Sequence, residues 1–189
     1  MIDEVILVDD QDRVTGSMEK LQAHKRGLLH RAFSIFVFND RFELMLQRRS
    51  SHKYHSADLW SNSCCSHPLT GESLPDAAHT RLQHEMGFDC PLREIFSFHY
   101  RAEVGAGLTE HEFDHVFIGA YNGQPQPNPA EARDWRWIEL PQLKQITETD
   151  PDSYTAWLKL IVTQRLNDLE NGRYRLPRGP ADGSGKARP

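Results

Sequence analysis

The sequence predicts an α+β fold in which helices flank a mixed sheet, an arrangement like an α/β/α sandwich. Short segments rich in β-branched and aromatic residues dominate the chain, one well-delimited helix lies between them, and an amphipathic helical pattern follows. The length of 189 residues suits one domain, and hydrophobic residues make up 38% of the chain, enough for a packed core. We therefore expect a single domain over residues 1–172.

The predicted strands are runs of apolar and aromatic residues bounded by polar or turn-forming residues. The segment Asn39–Arg41 separates two of them and is typical of a hairpin turn. The predicted strands are Val5–Val8, Ala32–Phe38, Phe42–Gln47, Ile95–Arg101, Glu112–Tyr121 and Trp135–Glu139.

The helix between these strands has residues typical of both a beginning and an end. Ser73 can cap the N-terminus with Asp76 three residues further on, and Gly87 can end the helix in the left-handed conformation. A repeat of four residues predicts its buried stripe. That stripe consists of Ala78, Leu82 and Met86.

The last predicted helix covers about Ser153 to Asn171, and Gly172 is expected to stop it. Its apolar face would carry Tyr154, Trp157, Leu158, Ile161, Val162, Leu166 and Leu169. The remaining residues, 173–189, contain three prolines, three glycines and few apolar residues, so we expect a flexible C-terminal tail.

The charge balance and the composition exclude several classes of protein. With 22 Lys plus Arg against 27 Asp plus Glu, the net charge of −5 argues against binding of nucleic acid. No apolar run reaches the roughly 20 residues that a membrane helix needs, and the N-terminus is acidic where a secretory signal is basic. The odd number of three cysteines is typical of reduced thiols. We therefore expect a soluble, cytoplasmic protein without a membrane partner.

The polar segment Trp60–Pro68 contains a cysteine and a histidine two residues apart. In an extended chain, Cys65 and His67 would point to the same side. The polar neighbours favour a reactive or metal-proximal thiol over a small buried apolar residue. A disulfide between Cys64 and Cys65 is a third, strained option.

Two glutamates, Glu110 and Glu112, stand at the start of a predicted strand, where a period of two places them on one face. Such a pair is either a solvated strand edge or a site where a cation offsets the repulsion. Histidines 24, 30 and 67 could complete a shell of nitrogen and oxygen ligands. The other histidines, His52, His55, His79, His84, His99, His111 and His115, are assigned to the surface or the core.

The predicted central helix carries Arg81 and Glu85, four residues apart, a spacing that is usually only a surface salt bridge. The segment from Ser66 to Phe88 nevertheless resembles a degenerate Nudix box. Ser66 replaces the first glycine of that pattern, Thr80 and Arg81 replace its Arg-Glu, and His84 replaces one of its paired acids. Of the metal-binding acids of a Nudix hydrolase only Glu72 and Glu85 remain, which weakens a hydrolase interpretation.

Together these motifs resemble the type I isopentenyl diphosphate isomerases, which have a Nudix-type mixed sheet and an eroded hydrolytic box. The resemblance covers the chain from about Ile2 to Leu169. Its landmarks are Thr15–Lys20, Ala23–His24, Leu29–Ser34, Arg48–Arg49, Trp60–Pro68, Phe98–Ala102, Glu110–Glu112 and Trp157.

The resemblance implies two metal ions and a diphosphate site. One divalent ion, Mn²⁺ or Mg²⁺ and alternatively Zn²⁺, would be held by His24, His30, His67, Glu110 and Glu112. A second ion, Mg²⁺, would bridge Glu85, the main-chain carbonyl of Cys65 and the substrate diphosphate. The basic residues that match those around the diphosphate are Lys20, Arg49, Lys53 and Arg81.

The implied reaction is a 1,3-allylic proton shift that interconverts isopentenyl and dimethylallyl diphosphate. Cys65 would lie opposite Glu112, Tyr100 would hydrogen-bond near the carboxylate, and Trp157 would stabilise the cation. Sequence leaves open which group is acid and which is base, although we favour Glu112 with Tyr100 as the protonating side. The implied partner is a small isoprenoid diphosphate, and we expect a monomer, with a dimer left open.

Two other functions compete with this interpretation. A Nudix hydrolase would cleave a diphosphate and release phosphate, but it needs the intact acidic box. A catalytically silent metal-binding or diphosphate-binding module would be indifferent to substitution of Cys65 and Glu112.

Overall fold

The computed structural model describes residues 4–177, and the predicted tail beyond residue 177 lies outside the described residues. Within that span there are nine strands and five α-helices. In chain order these are β1 (Glu4–Val8), β2 (Val14–Glu19), α1 (Lys20–Arg26), β3 (His30–Phe38), β4 (Leu44–Arg49), β5 (Trp60–Ser61), β6 (Cys64–Ser66), α2 (Leu74–Met86), β7 (Leu92–Glu103), β8 (Thr109–Ala120), β9 (Ala132–Ile138), α3 (Leu140–Thr149), α4 (Ala156–Gln164) and α5 (Leu166–Arg173).

The sheet is mixed, as predicted, and β3 lies at its centre. Strand β3 pairs in parallel with β8 over its whole length, from His30 opposite Glu112 to Phe38 opposite Ala120. Its other edge pairs antiparallel with β6 and, at single positions near its two ends, with β1 and β4. Strands β2, β5, β7 and β9 extend the sheet beyond these partners.

Helices cover both faces of the sheet, which confirms the predicted sandwich-like arrangement. Helix α2 packs on one face through Ala78, Leu82 and Met86, the stripe predicted from the sequence. Helices α3, α4 and α5 pack on the other face around Trp157 and Leu158. In the described part of the chain no helix is both long and apolar enough to cross a membrane.

Helix α2 has the predicted capping residues. The backbone N–H of Asp76 donates to Ser73 Oγ at the N-terminus. Gly87 ends the helix with φ of 76°, and a Cβ at this position would lie 2.4 Å from the carbonyl oxygen of Gln126. Glycine is therefore required here for its backbone conformation and for its size.

Several elements were missed by the sequence analysis. Strand β2 is largely exposed and polar, so its hydrophobic pattern is weak. Helix α1 has only seven residues and depends on its caps, with Glu19 accepting from two backbone N–H groups and Gly27 in the left-handed region. Strand β8 begins at Thr109, three residues before the predicted start, so both glutamates of the motif lie within the strand.

The prediction of one helix from Ser153 to Asn171 is wrong. A short 3₁₀ turn is followed by two extended residues, Tyr154 and Thr155, before α4 begins. The N–H of Thr155 donates to the carbonyl of Trp60, so sheet-like pairing with β5 replaces the first helical turn. A second break at Arg165 separates α4 from α5.

Gly172 does not stop the last helix, because it lies inside α5. A Cβ there would approach the Cδ1 atoms of Ile95 and Ile118 to 3.2 Å, so close packing against the sheet explains the glycine. Beyond α5, the ring of Tyr174 contacts that of Phe42 with 5.4 Å between centroids.

Candidate active site

A pocket with roughly 500 Å³ of empty space opens where α1, β6, β8 and the loop of residues 50–59 converge. Most of the residues predicted for the site line it. These are Lys20, Arg49, Lys53, Cys65, His67, Arg81, Glu110, Glu112 and Trp157. The wall also contains Phe33, Tyr54, His55 and Ser66.

Strand pairing brings the predicted metal ligands together. The period of two along β8 puts Glu110 and Glu112 on one face, and parallel pairing sets His30 of β3 opposite Glu112. Helix α1 presents the buried His24 to the same point, and His67 follows β6. We call these five residues the His/Glu site.

The orientation of two imidazoles follows from their contacts with main-chain carbonyls. Nδ1 of His24 lies 2.6 Å from the carbonyl oxygen of Lys20, and Nδ1 of His30 lies 2.8 Å from that of Leu28. Since a carbonyl oxygen only accepts, each Nδ1 carries the hydrogen. Each Nε2 therefore faces the carboxylates, and protein metal sites commonly orient their histidines in this way.

The distances within the His/Glu site fit a divalent cation. Nε2 of His24 lies 2.9 Å from Oε2 of Glu110, and Nε2 of His67 lies 2.9 Å from Oε1 of Glu112. Nε2 of His30 is 3.8 Å from both of these oxygens. Neighbouring ligands in an octahedral shell are separated by about 3 Å and opposite ones by about 4 Å.

An orphaned atom supports the same conclusion. Nε2 of His30 is buried and, among residues 4–177, has no hydrogen-bond partner. Candidate ligand atoms of His24, His30, His67 and Glu110 all lie within 4.8 Å of one another. The residues of the His/Glu site therefore suit a divalent metal ion bound by imidazole nitrogens and carboxylate oxygens.

The protonation preferences within the site differ sharply. Burial lowers the pKa of His30 to about 4 and moves that of His67 well below its usual value, so both rings are neutral at pH 7. Contacts with His24 and His55 overcome burial and hold the pKa of Glu110 well below its usual range. Burial and the nearby carboxyl of Glu110 raise the pKa of Glu112 well above its usual range.

Tyr100 lies behind Glu112. The two residues are paired across β7 and β8, and the phenol O–H donates to Oε2 of Glu112 at 2.8 Å. Burial and the neighbouring carboxylate raise the pKa of Tyr100 well above its usual value, so the phenol keeps its proton. Tyr100 therefore orients one oxygen of Glu112 while the other oxygen faces the histidines.

Alternation along β6 separates the adjacent cysteines. Cys64 is fully buried in the core beneath α2, whereas Cys65 lines the pocket. Both are free thiols, so the strained disulfide option does not apply. Burial raises the pKa of Cys65 to about 12, although the positive charge of Arg49 opposes this.

Two of the predicted diphosphate-binding residues, Lys53 and Arg81, meet at Glu131. Arg81 donates to Oε1 of Glu85 at 2.7 Å and lies 3.3 Å from Glu131, which also contacts Lys53. Burial alone would raise the pKa of Glu131, but the contacts with Lys53 and Arg81 outweigh it and lower this pKa to about 2. We call Lys53 and Arg81 the cationic end of the pocket; Lys20 and Arg49 line the same pocket closer to the histidines and to Cys65.

The side chains of two predicted site residues, Glu85 and Trp157, already form hydrogen bonds within the protein. Glu85 is buried away from the His/Glu site, and its second oxygen accepts from Gln47 at 3.0 Å. Trp157 donates from Nε1 to Ser61 Oγ at 2.9 Å, and the guanidinium of Arg49 lies 5.2 Å from the centroid of its ring. The indole is thus held rigidly in the pocket wall.

Sequence analysis missed two functional candidates. His55 was assigned to the surface or core class, yet it lies at the site, with Nε2 3.1 Å from Oε1 of Glu110. Glu131 lies in a loop rich in proline and asparagine, where nothing in the sequence marks an isolated acid as functional. The one sequence feature that could have indicated His55 is its position two residues after Lys53, a predicted diphosphate-binding residue.

Comparisons with known proteins agree with this architecture. The model of the NUDIX domain matches residues 28–158. A protein of Deinococcus radiodurans of known crystal structure superposes with a TM-score of 0.72 at 18% identity, covering 85% of this chain and 98% of its own. An Ap4A hydrolase from C. elegans superposes with a TM-score of 0.54 at 15% identity, covering 75% of this chain and 98% of its own. The fold and the matched residues thus define a Nudix domain protein.

Curated relatives narrow this class. "Isopentenyl-diphosphate Delta-isomerase 2" of Aromatoleum aromaticum is 54% identical over 88% of each chain. "Isopentenyl-diphosphate Delta-isomerase" of Serratia proteamaculans is 49% identical over 90% of this chain and 96% of its own. The chain belongs to the isopentenyl-diphosphate Delta-isomerase family.

Proposed function

We propose that this chain interconverts isopentenyl diphosphate and dimethylallyl diphosphate by a 1,3-allylic proton shift. The observation that carries the proposal is a single pocket with two different ends. One end holds the protonatable groups Glu112 and Cys65 beside the His/Glu site, and the other is cationic. Such a pocket suits a substrate with a short hydrocarbon at one end and a diphosphate at the other.

The cationic end would bind the diphosphate. Arg81 and Lys53 already share the carboxylate of Glu131, so an anion at this position replaces or joins a contact that the protein makes by itself. Charged hydrogen bonds to phosphate oxygens are strong and directional. Binding at this end would leave the alkene beside Cys65, Glu112 and Trp157.

The proton shift conserves atoms and electrons within the substrate. The alkene pair takes a proton at the terminal carbon, leaving a tertiary cation at C3. Loss of a proton from C2 then returns an electron pair as the new double bond. The reaction needs one donor and one acceptor and no redox partner.

The neighbours of Glu112 and Cys65 differ in a way that divides these roles. Burial raises the pKa of both groups. The carboxyls of Glu110 and Asp114 disfavour the Glu112 anion, whereas the charges near Cys65 are mixed: Arg49 and Lys53 favour a thiolate, and Glu85 and Glu112 oppose it. We assign Glu112, held by Tyr100, as the proton donor and Cys65 as the acceptor, which takes the C2 proton as a thiolate beside Arg49 and Lys53; the reverse reaction exchanges these roles.

The surroundings of Glu112 complete the proposed chemistry. A divalent cation in the His/Glu site would fix the carboxyl and lower its proton affinity. The proposed ion at this site is Mn²⁺ or Mg²⁺, with Zn²⁺ as the alternative. A second ion, Mg²⁺, is proposed beside Glu85. The face of Trp157 would stabilise the developing cation by about 1 to 2 kcal/mol.

Compartment and assembly complete the proposal. The free state of Cys64, Cys65 and Cys90 supports a reducing compartment such as the cytoplasm. We expect a monomer, which sedimentation of the purified full chain would test.

Proton NMR in D₂O tests the proposed reaction. Purified protein is incubated with isopentenyl diphosphate and Mg²⁺, and the alkene signals are followed beside a phosphate-release assay. We expect dimethylallyl diphosphate carrying deuterium, with no phosphate released. Phosphate release with an unshifted double bond would instead indicate a Nudix hydrolase and remove the roles given to Cys65 and Glu112.

A further inference from the structure

Both carboxylates of the His/Glu site divide their two oxygens between different partners. Glu112 turns Oε1 to His67 and accepts a hydrogen bond on Oε2 from Tyr100. Glu110 turns Oε2 to His24 and has His55 beside its other oxygen, Oε1, at 3.1 Å. His55 therefore contacts the second carboxylate oxygen of Glu110 in the same way that Tyr100 contacts the second oxygen of Glu112.

The contacts of His55 define which nitrogen carries its hydrogen. A carboxylate oxygen only accepts, so Nε2 of His55 donates to Glu110. Nδ1 is then an acceptor, and Oγ of Ser56 lies 3.3 Å from it.

The ring of His55 is held in place from several sides. Arg49 donates to the main-chain carbonyls of both His55 and Ser56, at 3.2 and 3.0 Å. The ring lies 4.6 Å from that of Tyr54 and 6.3 Å from that of Trp157, measured between centroids. The side chain itself is buried, with 5% of its surface exposed.

His55 contacts the oxygen that points away from the other histidines. Nε2 of His55 lies 3.1 Å from Oε1 of Glu110, whereas His24 and His30 approach the other oxygen, Oε2. The position of His55 is thus that of an outer donor that orients a ligand.

We propose that His55 is a positioning residue that binds Oε1 of Glu110 and so limits Glu110 to one oxygen for the divalent cation. This inference rests on the proposed metal-dependent function of the His/Glu site. Without His55, Oε1 would be released and Glu110 could chelate with both oxygens. Large cations such as Ca²⁺ accept bidentate carboxylates, whereas Mg²⁺ prefers strict octahedral geometry.

Titration of the full chain with Mn²⁺, followed by EPR after removal of metal with EDTA, tests the proposal. Three variants are compared with the wild type: His55→Ala, His55→Gln and His55→Asn. Gln places an amide nitrogen near the position of Nε2, whereas the same amide in Asn stops one bond short. We expect Mn²⁺ affinity to fall about 10- to 100-fold in His55→Ala and His55→Asn and to be largely restored in His55→Gln.

A second readout distinguishes positioning from direct ligation. The ratio of Ca²⁺ to Mn²⁺ affinity should rise in His55→Ala, and pulsed EPR should show the same imidazole nitrogen couplings to Mn²⁺ as in the wild type. Loss of one coupling would overturn the proposal, because His55 would then be a ligand itself. Equal affinities in all variants, or equal losses in the Gln and Asn variants, would also overturn it.

Two further results separate this inference from the proposed function. If His55→Ala does not fold, the Gln and Asn variants decide the matter by themselves. If the wild type binds no Mn²⁺, the metal site and the role of His55 fall together. If it binds Mn²⁺ with the expected His55 dependence but does not isomerise the substrate, the inference holds and only the reaction is wrong.

Discussion

Two largely buried glutamates in and beside the same pocket, Glu112 and Glu131, have opposite protonation preferences. Burial disfavours the anion in both cases. Glu131 contacts Lys53 and Arg81, which lower its pKa to about 2, whereas the carboxyl beside Glu112 raises its pKa well above the usual value. The charges of the neighbours therefore divide the pocket into a proton-handling end and an anion-binding end.

The largest expected effect comes from removing the ionisable group at the proton-handling end. Glu112→Gln keeps the size of the side chain but can neither transfer a proton nor bind metal as an anion. We expect turnover in the NMR assay to fall by about 10²- to 10⁴-fold and Mn²⁺ retention to weaken. Glu94→Gln, at an exposed contact with His115, is the control. A fully active Glu112→Gln enzyme would remove the proposed mechanism.

The adjacent cysteines provide a matched pair at the same end. Cys65→Ser should lose at least about 10²-fold in turnover, because a serine hydroxyl ionises far less readily than a thiol and so supplies almost no anionic proton acceptor. Cys64→Ala should keep most of the turnover, since Cys64 is buried in the core beneath α2. Equal losses in the two variants would refute the assignment of Cys65.

Substitution at the anion-binding end should affect binding more than chemistry. Arg81→Ala removes a cation that contacts Glu131 and Glu85. We expect KM for isopentenyl diphosphate to rise about 10- to 100-fold, the effect of one charged hydrogen bond, with a smaller change in kcat. A loss confined to kcat would mean that Arg81 belongs functionally to the proton-handling end.

The smallest effect is expected for stability at the anion-binding end. Because the folded-state pKa of Glu131 is lowered to about 2, its ionisation stabilises the fold above pH 4.5, and this contribution is lost as the pH falls toward 2. Glu131→Gln should therefore lower Tm at pH 7 and converge with the wild type in acid. One kcal/mol corresponds to about 2–4 °C for a chain of this size.

A surface ion pair serves as the control for this thermal measurement. Asp58 pairs with Arg133, and both side chains are more than two-fifths exposed. Asp58→Asn should change Tm little at any pH, since exposed pairs contribute about 0–1 kcal/mol. A pH-independent loss in Glu131→Gln would show that packing, and not charge, explains its role.

Local patterns in the sequence predicted the parts of the fold that depend on near neighbours. The caps at Ser73 and Gly87 and the stripe of α2 are confirmed because each depends on residues within one helix. The pairing of Glu110 with Glu112 could be predicted because a strand repeats every two residues.

The remaining features depend on contacts between distant segments. The last helix breaks because Thr155 pairs with Trp60, which no local pattern reveals. His55 reaches Glu110 because Arg49 binds the main chain of its loop. The residues next to His55 in the sequence are typical of an ordinary turn and do not indicate this contact. Tertiary contacts override local preference at both places.

The parallel pairing of β3 with β8 also bears on how the molecule folds. His24 and Glu110 lie 86 residues apart in the chain, so a loop of this length must close before the His/Glu site exists. Contacts of such long sequence separation generally form slowly, because their entropy cost precedes their stabilisation. A chain in which only the hairpins and α2 have formed would have no site. Recovery of metal binding during refolding should therefore follow the completion of the central sheet.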